Sequence, residues 1–326
     1  MDHNTAVSRA LGMWLLLLVL AAAAAGITIS LVNKYMYGPE TDVRAYFEHL
    51  RDGDGGRALG MLNAEPASGT DAVLLDGEPL AEATETLADV EISTVSQDAD
   101  EAVVRAEYTL EGQEHSSEYR LRPVDTQWGF FTVWGFEESQ LPTLTVTMPG
   151  ATSADLNGTS AALPDSHQDF AAFPPGVYSA SYASRWVDTD PVSVVLSSTG
   201  EQEGIELEAT PSAVLEQAVA REIDADLATC TEQGSLYPAG CPFSYDFDGR
   251  VEGEVEWEIT RRPAPQITIG VDGGQDWALA SAPGAAQVSF TSMDLFDGST
   301  EEVTESVPFS YDADLSVEGD EVSVSR

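Results

Sequence analysis

Leu215-Glu-Gln-Ala-Val-Ala-Arg-Glu-Ile-Asp-Ala-Asp-Leu-Ala-Thr-Cys230 and, farther along, Glu254-Val-Glu-Trp-Glu-Ile-Thr260 carry two different hydrophobic periods. In the first, Leu215, Val219, Ile223 and Leu227 recur at every fourth position and fall on one face of a helix. Thr210 as N-cap and Pro211 at the first helical position predict where that helix starts. In the second, Val255, Trp257 and Ile259 alternate with charged neighbours, the pattern of a half-buried strand. Ile267 and Ile269, Val288 and Phe290, and Val322 and Val324 mark later strands. A helix followed by a run of strands is an α+β plan, with the helix packed on one face of an antiparallel sheet.

The same order occurs nearer the N-terminus. Thr41 is a plausible N-cap, and Val43, Tyr46, Phe47 and Leu50 fall at helical spacing. Arg51-Asp-Gly-Asp-Gly-Gly56 breaks that helix, Arg57-Ala-Leu-Gly-Met-Leu62 reads as a second short one, and a polar stretch runs on to Glu82. Val104, Ala106, Tyr108 and Leu110 then alternate with polar residues, as do Tyr119 and Leu121. Trp128-Gly-Phe-Phe-Thr-Val-Trp-Gly-Phe136 is apolar on both faces and predicts a central strand. Two readings stand for its rings. They pack a core, or they line the open end of a curved sheet, with Trp128, Phe131 and Trp134 as the ligand-facing candidates.

Between these units the texture changes. Leu144, Val146 and Met148 alternate, Asn157-Gly158 is a hairpin signal, and Val192 to Leu196 is a further strand. Phe173-Pro-Pro-Gly-Val-Tyr178 leads into a strand through Ser181 and Tyr182. With no helical period before Glu208, this part reads as a small β-sandwich. Asn157-Gly-Thr159 also matches a glycosylation acceptor, although a turn is sufficient to explain it.

From Ala10 to Asn33 the chain carries no charge, and Leu11-Gly-Met-Trp-Leu-Leu-Leu-Leu-Val-Leu20 is its core. About 23 such residues can cross ~30 Å of hydrocarbon at 1.5 Å per residue. Trp14, Tyr35 and Tyr37 suit interfacial positions. A cleaved signal peptide is the rival, since Arg9, the Leu run and Ala21 to Ala25 supply its three regions. Ile27, Ile29, Leu31 and Val32 extend the apolar run past any such cleavage point and favour a retained anchor. The expected organisation is a cytoplasmic stub (1–9), a transmembrane helix (10–33), an α+β module (34–140), a β-sandwich (141–209) and a second α+β module (210–326).

Cys230 and Cys241 are the only cysteines. Pro238 and Gly240 let the intervening loop fold back so that the two sulfurs meet, two free buried thiols being the alternative. A disulfide across so short a loop contributes ~3 kcal/mol in the chain-entropy account. It also needs an oxidising compartment, which would put the bulk of the chain outside the membrane.

Charge removes whole classes of function. Lys plus Arg is 14 against 56 Asp plus Glu, a formal net charge of −42. Such a surface repels nucleic acid phosphates, so no nucleic-acid partner is expected. Lys34 is the only lysine and sits beside the membrane segment. That excludes a phosphate-binding Gly-x-x-x-x-Gly-Lys loop, a Ser-x-x-Lys motif and a Schiff-base lysine. His3, His49, His115 and His167 are scattered, with no Gly-x-Ser-x-Gly elbow and no His-x-x-x-His pair. Asp52-Gly-Asp54 and Asp246-Phe-Asp-Gly249 do not complete a calcium loop. No metal, cofactor or catalytic residue is expected from these motifs.

Tyr46-Phe-Glu-His-Leu-Arg-Asp-Gly-Asp-Gly-Gly-Arg-Ala-Leu-Gly-Met-Leu62 resembles the opening helices of extracytoplasmic modules in the nuclear-transport-factor-2 and cystatin-like cone superfamily. Leu227-Ala-Thr-Cys230 with Cys241-Pro-Phe243 is similar to a segment of actinobacterial membrane proteins. Anchor, β-rich middle and helix-plus-sheet units together resemble TcaA-type envelope proteins, although the zinc ribbon frequent in that family has no counterpart in residues 1–9. The resemblance implies cone-like modules and a non-catalytic binding or scaffold role in the cell envelope, with a wall component or envelope protein as partner. It supplies no catalytic residue. A carboxylate-dependent envelope enzyme with a cone-shaped pocket, or a purely structural spacer, are the alternatives.

Overall fold

The computed structural model describes residues 3–35, 37–127, 131–198, 202–270 and 277–326. Helix α1 (His3–Tyr35) contains the apolar run Gly12–Ile29, whose mean hydropathy is 2.3 and of which nothing is buried against the rest of the protein. It is long and apolar enough to cross a membrane, a property that a signal sequence shares. No other described helix meets that test.

Helix α2 (Pro39–Arg51) starts one turn earlier than the sequence predicts. Gly38, not Thr41, is its N-cap, with extended backbone (φ −71°, ψ 152°), and Pro39 occupies the first turn. Proline fits there because its missing N–H would have had no intrahelical partner. The expected apolar face is real: Val43, Tyr46, Phe47 and Leu50 are all buried. Helix α3 (Gly55–Leu62) is capped by Asp54, which accepts from the Arg57 N–H at 3.2 Å. Gly55 is required there, because a Cβ would lie 1.5 Å from the Leu75 carbonyl oxygen. The polar stretch before Glu82 hides a third short helix, α4 (Glu78–Ala83), with Pro79 in its first turn.

Strand β1 (Ala64–Glu65) lies between these helices in the chain. Strands β2 (Ala88–Gln97), β3 (Ala102–Leu110), β4 (Gln113–Gln127) and β5 (Phe131–Phe136) form an antiparallel meander in sequence order. The segment predicted to be central is therefore, in its described part, an edge strand. On the face of β5 that carries Phe131, the Tyr37 ring, just past α1, stacks on Phe131. Strand β6 (Ser139–Gln140) then returns to pair in parallel with β1.

The next segment is all β. Strands β7 (Thr143–Thr147), β8 (Ser153–Leu156), β9 (Thr159–Ala162), β10 (His167–Ala171), β11 (Gly176–Ser181), β12 (Val187–Asp188), β13 (Val192–Leu196) and β14 (Gln202–Glu206) supply two larger sheets, ordered β10-β7-β14 and β13-β11-β8-β9. Asn157 and Gly158 make the β8–β9 turn with φ of 42° and 69°. Two consecutive left-handed residues are what this hairpin type demands. The Asn157 side chain is buried, donating to the Val177 carbonyl and accepting from the Ser179 N–H, so the turn fully employs it.

Two hydrophobic cores interleave here. Phe170 and Ala172 face the core between the two sheets, while Ala171 and Phe173 face the core under α2. The adjacent Leu74 and Leu75 are likewise divided. At the end of β10 a strand's alternation divides Phe170 from Ala171, whereas Leu74 and Leu75 lie in a 3-10 turn (Val73–Leu75) whose rotation separates them.

In the third segment, Thr210 and Pro211 form strand β15 against β12 and do not open the helix. Ser212 caps α5 (Ala213–Thr231), accepting from the Leu215 N–H and donating to the Arg185 carbonyl. Leu215, Val219, Ile223, Leu227 and Cys230 form the buried face. They cover a sheet ordered β16-β19-β20, from β16 (Arg250–Arg261), β19 (Ala282–Met293) and β20 (Thr300–Tyr311). Two small hairpins complete this part: β17 (Ile267–Ile269) with β18 (Trp277–Leu279), and β21 (Asp314–Glu318) with β22 (Glu321–Ser325). Val255 and Trp257 are buried as their alternation requires, and Ile259 is half-buried.

Candidate functional site

The start of α2 lies against the end of the β4–β5 hairpin at which Gln127 pairs with Phe131. The register there runs Pro123 to Trp134 and then Asp125 to Val133, so Val124 is an extra residue on β4. A bulge of this kind bends the strand and re-aims the side chains beside it. Asp125 consequently faces the start of α2. Tyr37, Gly38, Thr41 and Asp42 close the other side, leaving a pocket of about 380 Å³ whose remaining lining includes Gln127, Thr132, Val133 and Trp134.

The chemistry of this pocket is aromatic and anionic. The Tyr37 and Phe131 rings are stacked, 4.9 Å between centroids and 12° from parallel. Trp134 is only 5% exposed and stands at the pocket floor. Of the two carboxylates in the first turn of α2, Glu40 is tied to β2: it accepts from the Thr94 N–H and hydroxyl at 3.0 and 2.8 Å. Asp42 has no hydrogen bond or ion pair among the described residues. Burial pushes its carboxyl up from 3.8 to about 6. A half-buried carboxylate with no cation among the described residues, in a pocket with aromatic walls, is an environment completed by a positive charge.

Of the three aromatics singled out in the sequence, Trp134 lines the pocket and Phe131 stacks on its Tyr37 wall. Trp128 lies outside the described residues. Phe136 belongs to the core, and Trp134 packs in that same core besides reaching the pocket. Sequence reasoning read Tyr37 as an interfacial ring and did not single out Asp42 or Asp125. The only signal for Asp42 was an acidic residue directly before Val43, the first member of the apolar helix face.

The remaining chemistry-bearing groups do not converge. His49 lies 3.9 Å from Asp54, and His167 Nδ1 contacts the Asp165 carbonyl. His115 stacks on Tyr108 beside a larger depression of about 630 Å³. That depression is rimmed by Asp89, Glu91, Glu107 and Glu114, all exposed on the sheet. Exposed carboxylates of this kind are a solvated surface. Among the described residues no group of three or more His, Cys, Asp or Glu side chains is arranged to hold a metal ion. Cys230 and Cys241 form a disulfide, with Cα atoms 5.7 Å apart, at the end of α5.

No protein-family model, no curated protein and no solved structure matches the chain.

Proposed function

We propose that this chain is a membrane-tethered protein of the cell envelope that holds its folded part on the oxidising side. In this reading it binds, without chemical conversion, a wall component or envelope protein bearing a cationic ammonium group. The apolar helix and the disulfide support the location. One observation carries the binding role: the Asp42 carboxylate, without a partner among the described residues, in a pocket walled by Tyr37, Trp134 and Asp125. An ammonium ion there gains both a carboxylate partner and an aromatic face, contacts of ~0.5–2 kcal/mol each when partly desolvated.

Tetramethylammonium is a direct probe. Titrated at pH 7.5 into the full-length protein in nanodiscs, it should quench tryptophan emission saturably. Asp42→Asn should abolish saturation without lowering the unfolding temperature enough to populate unfolded chains. A linear, unsaturable response of the unaltered protein would overturn the binding role and leave the spacer reading. The second reading, a carboxylate acid–base enzyme, is favoured by the position of Asp42 near 6, suited to proton transfer around neutral pH. It requires soluble products to accumulate from purified wall fragments with the unaltered protein and not with Asp42→Asn.

A further inference from the structure

The long β19–β20 hairpin ends in Asp294-Leu295-Phe296-Asp297-Gly298-Ser299. Phe296 is 99% exposed and Leu295 77%, more than any large apolar side chain described in the membrane-type helix α1. The exposure is built in by the backbone. Asp294 N–H donates to the Ser299 carbonyl and Gly298 N–H returns to the Asp294 carbonyl, both at 2.9 Å. The Asp294 carboxylate accepts from the Phe296 N–H at 2.7 Å, and that of Asp297 accepts from the Ser299 N–H at 2.9 Å. Gly298 supplies the left-handed residue, φ 79°. A turn closed by four internal hydrogen bonds holds its two large apolar side chains away from the sheet, where neither can reach a core of its own chain.

Water is an unfavourable environment for two large apolar side chains, so an ordered protrusion of this kind marks an interaction surface. Charge selects among occupants. Asp294 and Asp297 flank the pair in the turn, Glu301 and Glu302 follow on β20, and from Pro263 to Ser325 the sequence contains no Lys, Arg or His. Anionic headgroups and a second copy of this acidic chain are both repelled. We infer that Leu295 and Phe296 form a plug that seats in an apolar socket, rimmed by Lys or Arg, on a partner protein. Leu295 and Phe296 supply the buried centre of the contact, and the acidic residues supply the complementary rim that steers docking.

The test places photoreactive benzoylphenylalanine at position 296 of the full-length protein in native membranes. The expected result is a protein adduct whose cross-linked peptide is apolar and flanked by Lys or Arg. Its yield should fall at least about fivefold when salt is raised from ~0.05 to ~0.5 M, and should fall as far with Leu295→Ser. Both substitutions lie at exposed positions, and an unchanged unfolding temperature verifies the fold. Adducts to lipid, adducts to a second copy, a yield indifferent to salt, or no adduct at all would each overturn the plug.

Discussion

The Asp42 carboxyl titrates near 6 in the folded chain and at the ordinary 3.8 when exposed, so the folded state binds its proton first as pH falls. The penalty for burying the charge is therefore absent below about 3.8, grows between the two values, and is complete above 6. Asp42→Asn should raise stability at pH 7.5 by on the order of 1 kcal/mol, a figure reduced because the group is half-buried and screened. The gain should vanish below pH 4, and thermal unfolding of the two proteins across pH 3.5–8 measures it; an equal gain at both ends would remove burial as the cause. Tyr46 offers a complementary case. Its buried hydroxyl donates to the Pro174 carbonyl, and its ring contacts Phe47, Tyr119, Phe136 and Phe173. Tyr46→Phe keeps the ring and strands the carbonyl, which should cost about 1–3 kcal/mol in denaturant unfolding. Tyr46→Ala should cost at least about 3. At this scale the apolar faces were readable and the caps were not. Thr41 and Thr210 have the right chemistry for N-caps, but Gly38 and Ser212 hold those positions. The choice was made by a proline in one case and by the pairing of β15 with β12 in the other, neither of which a cap preference contains.

Among elements, α5 and its loop are held together most explicitly. The disulfide joins the end of the helix to the segment preceding β16 across a separation of 11 residues. Ser substitutions at both Cys230 and Cys241 should lower stability by about 2–4 kcal/mol. If unfolding of the double variant coincided with that of the oxidised protein, the bridge would be without thermodynamic effect. Helix α5, the hairpin at Asn157-Gly158 and the alternation along β16 were all legible, because each is a local pattern with one structural solution. The position of β5 was not. Two apolar faces say that a strand is covered twice, but they do not say by what, and here Tyr37 stacks on the face that carries Phe131. Helix α4 escaped for the converse reason: six residues with a single buried turn carry too little period to register.

For the molecule as a whole, 56 acidic against 14 basic residues outweigh any single ion pair. The described ion pairs have largely exposed partners, Arg326 with Asp226 being the best shielded at 16% and 33%. Mutual repulsion at this charge density favours expansion, so added salt should stabilise the fold. The unfolding temperature should rise steadily from ~0.02 to ~0.5 M sodium chloride; a fall would mean that the ion pairs dominate. Acidity, the apolar helix, the α+β order and the exclusion of lysine chemistry were all in the composition and pattern. The candidate site was legible only in part, since Phe131 and Trp134 are conspicuous rings while Asp42 and Asp125 are two acids among many. Proximity between the start of α2 and the bulge in β4 distinguishes them, and proximity is a property of the closed chain.

The divided allegiance of Leu74 and Leu75, and of the run from Phe170 to Phe173, has a mechanical corollary. A load applied between helix α1 and the far end would find two bodies in the part it reaches first, but no seam at which one can peel away while the other stays whole. In an optical trap those two should rupture in a single event. The portion built on α5 is joined to them more thinly, through Trp186, half-buried against its core and donating to the Gly319 carbonyl, beside Val187 on the middle core. It should give way separately, so a chain of this design would lengthen in two steps under tension.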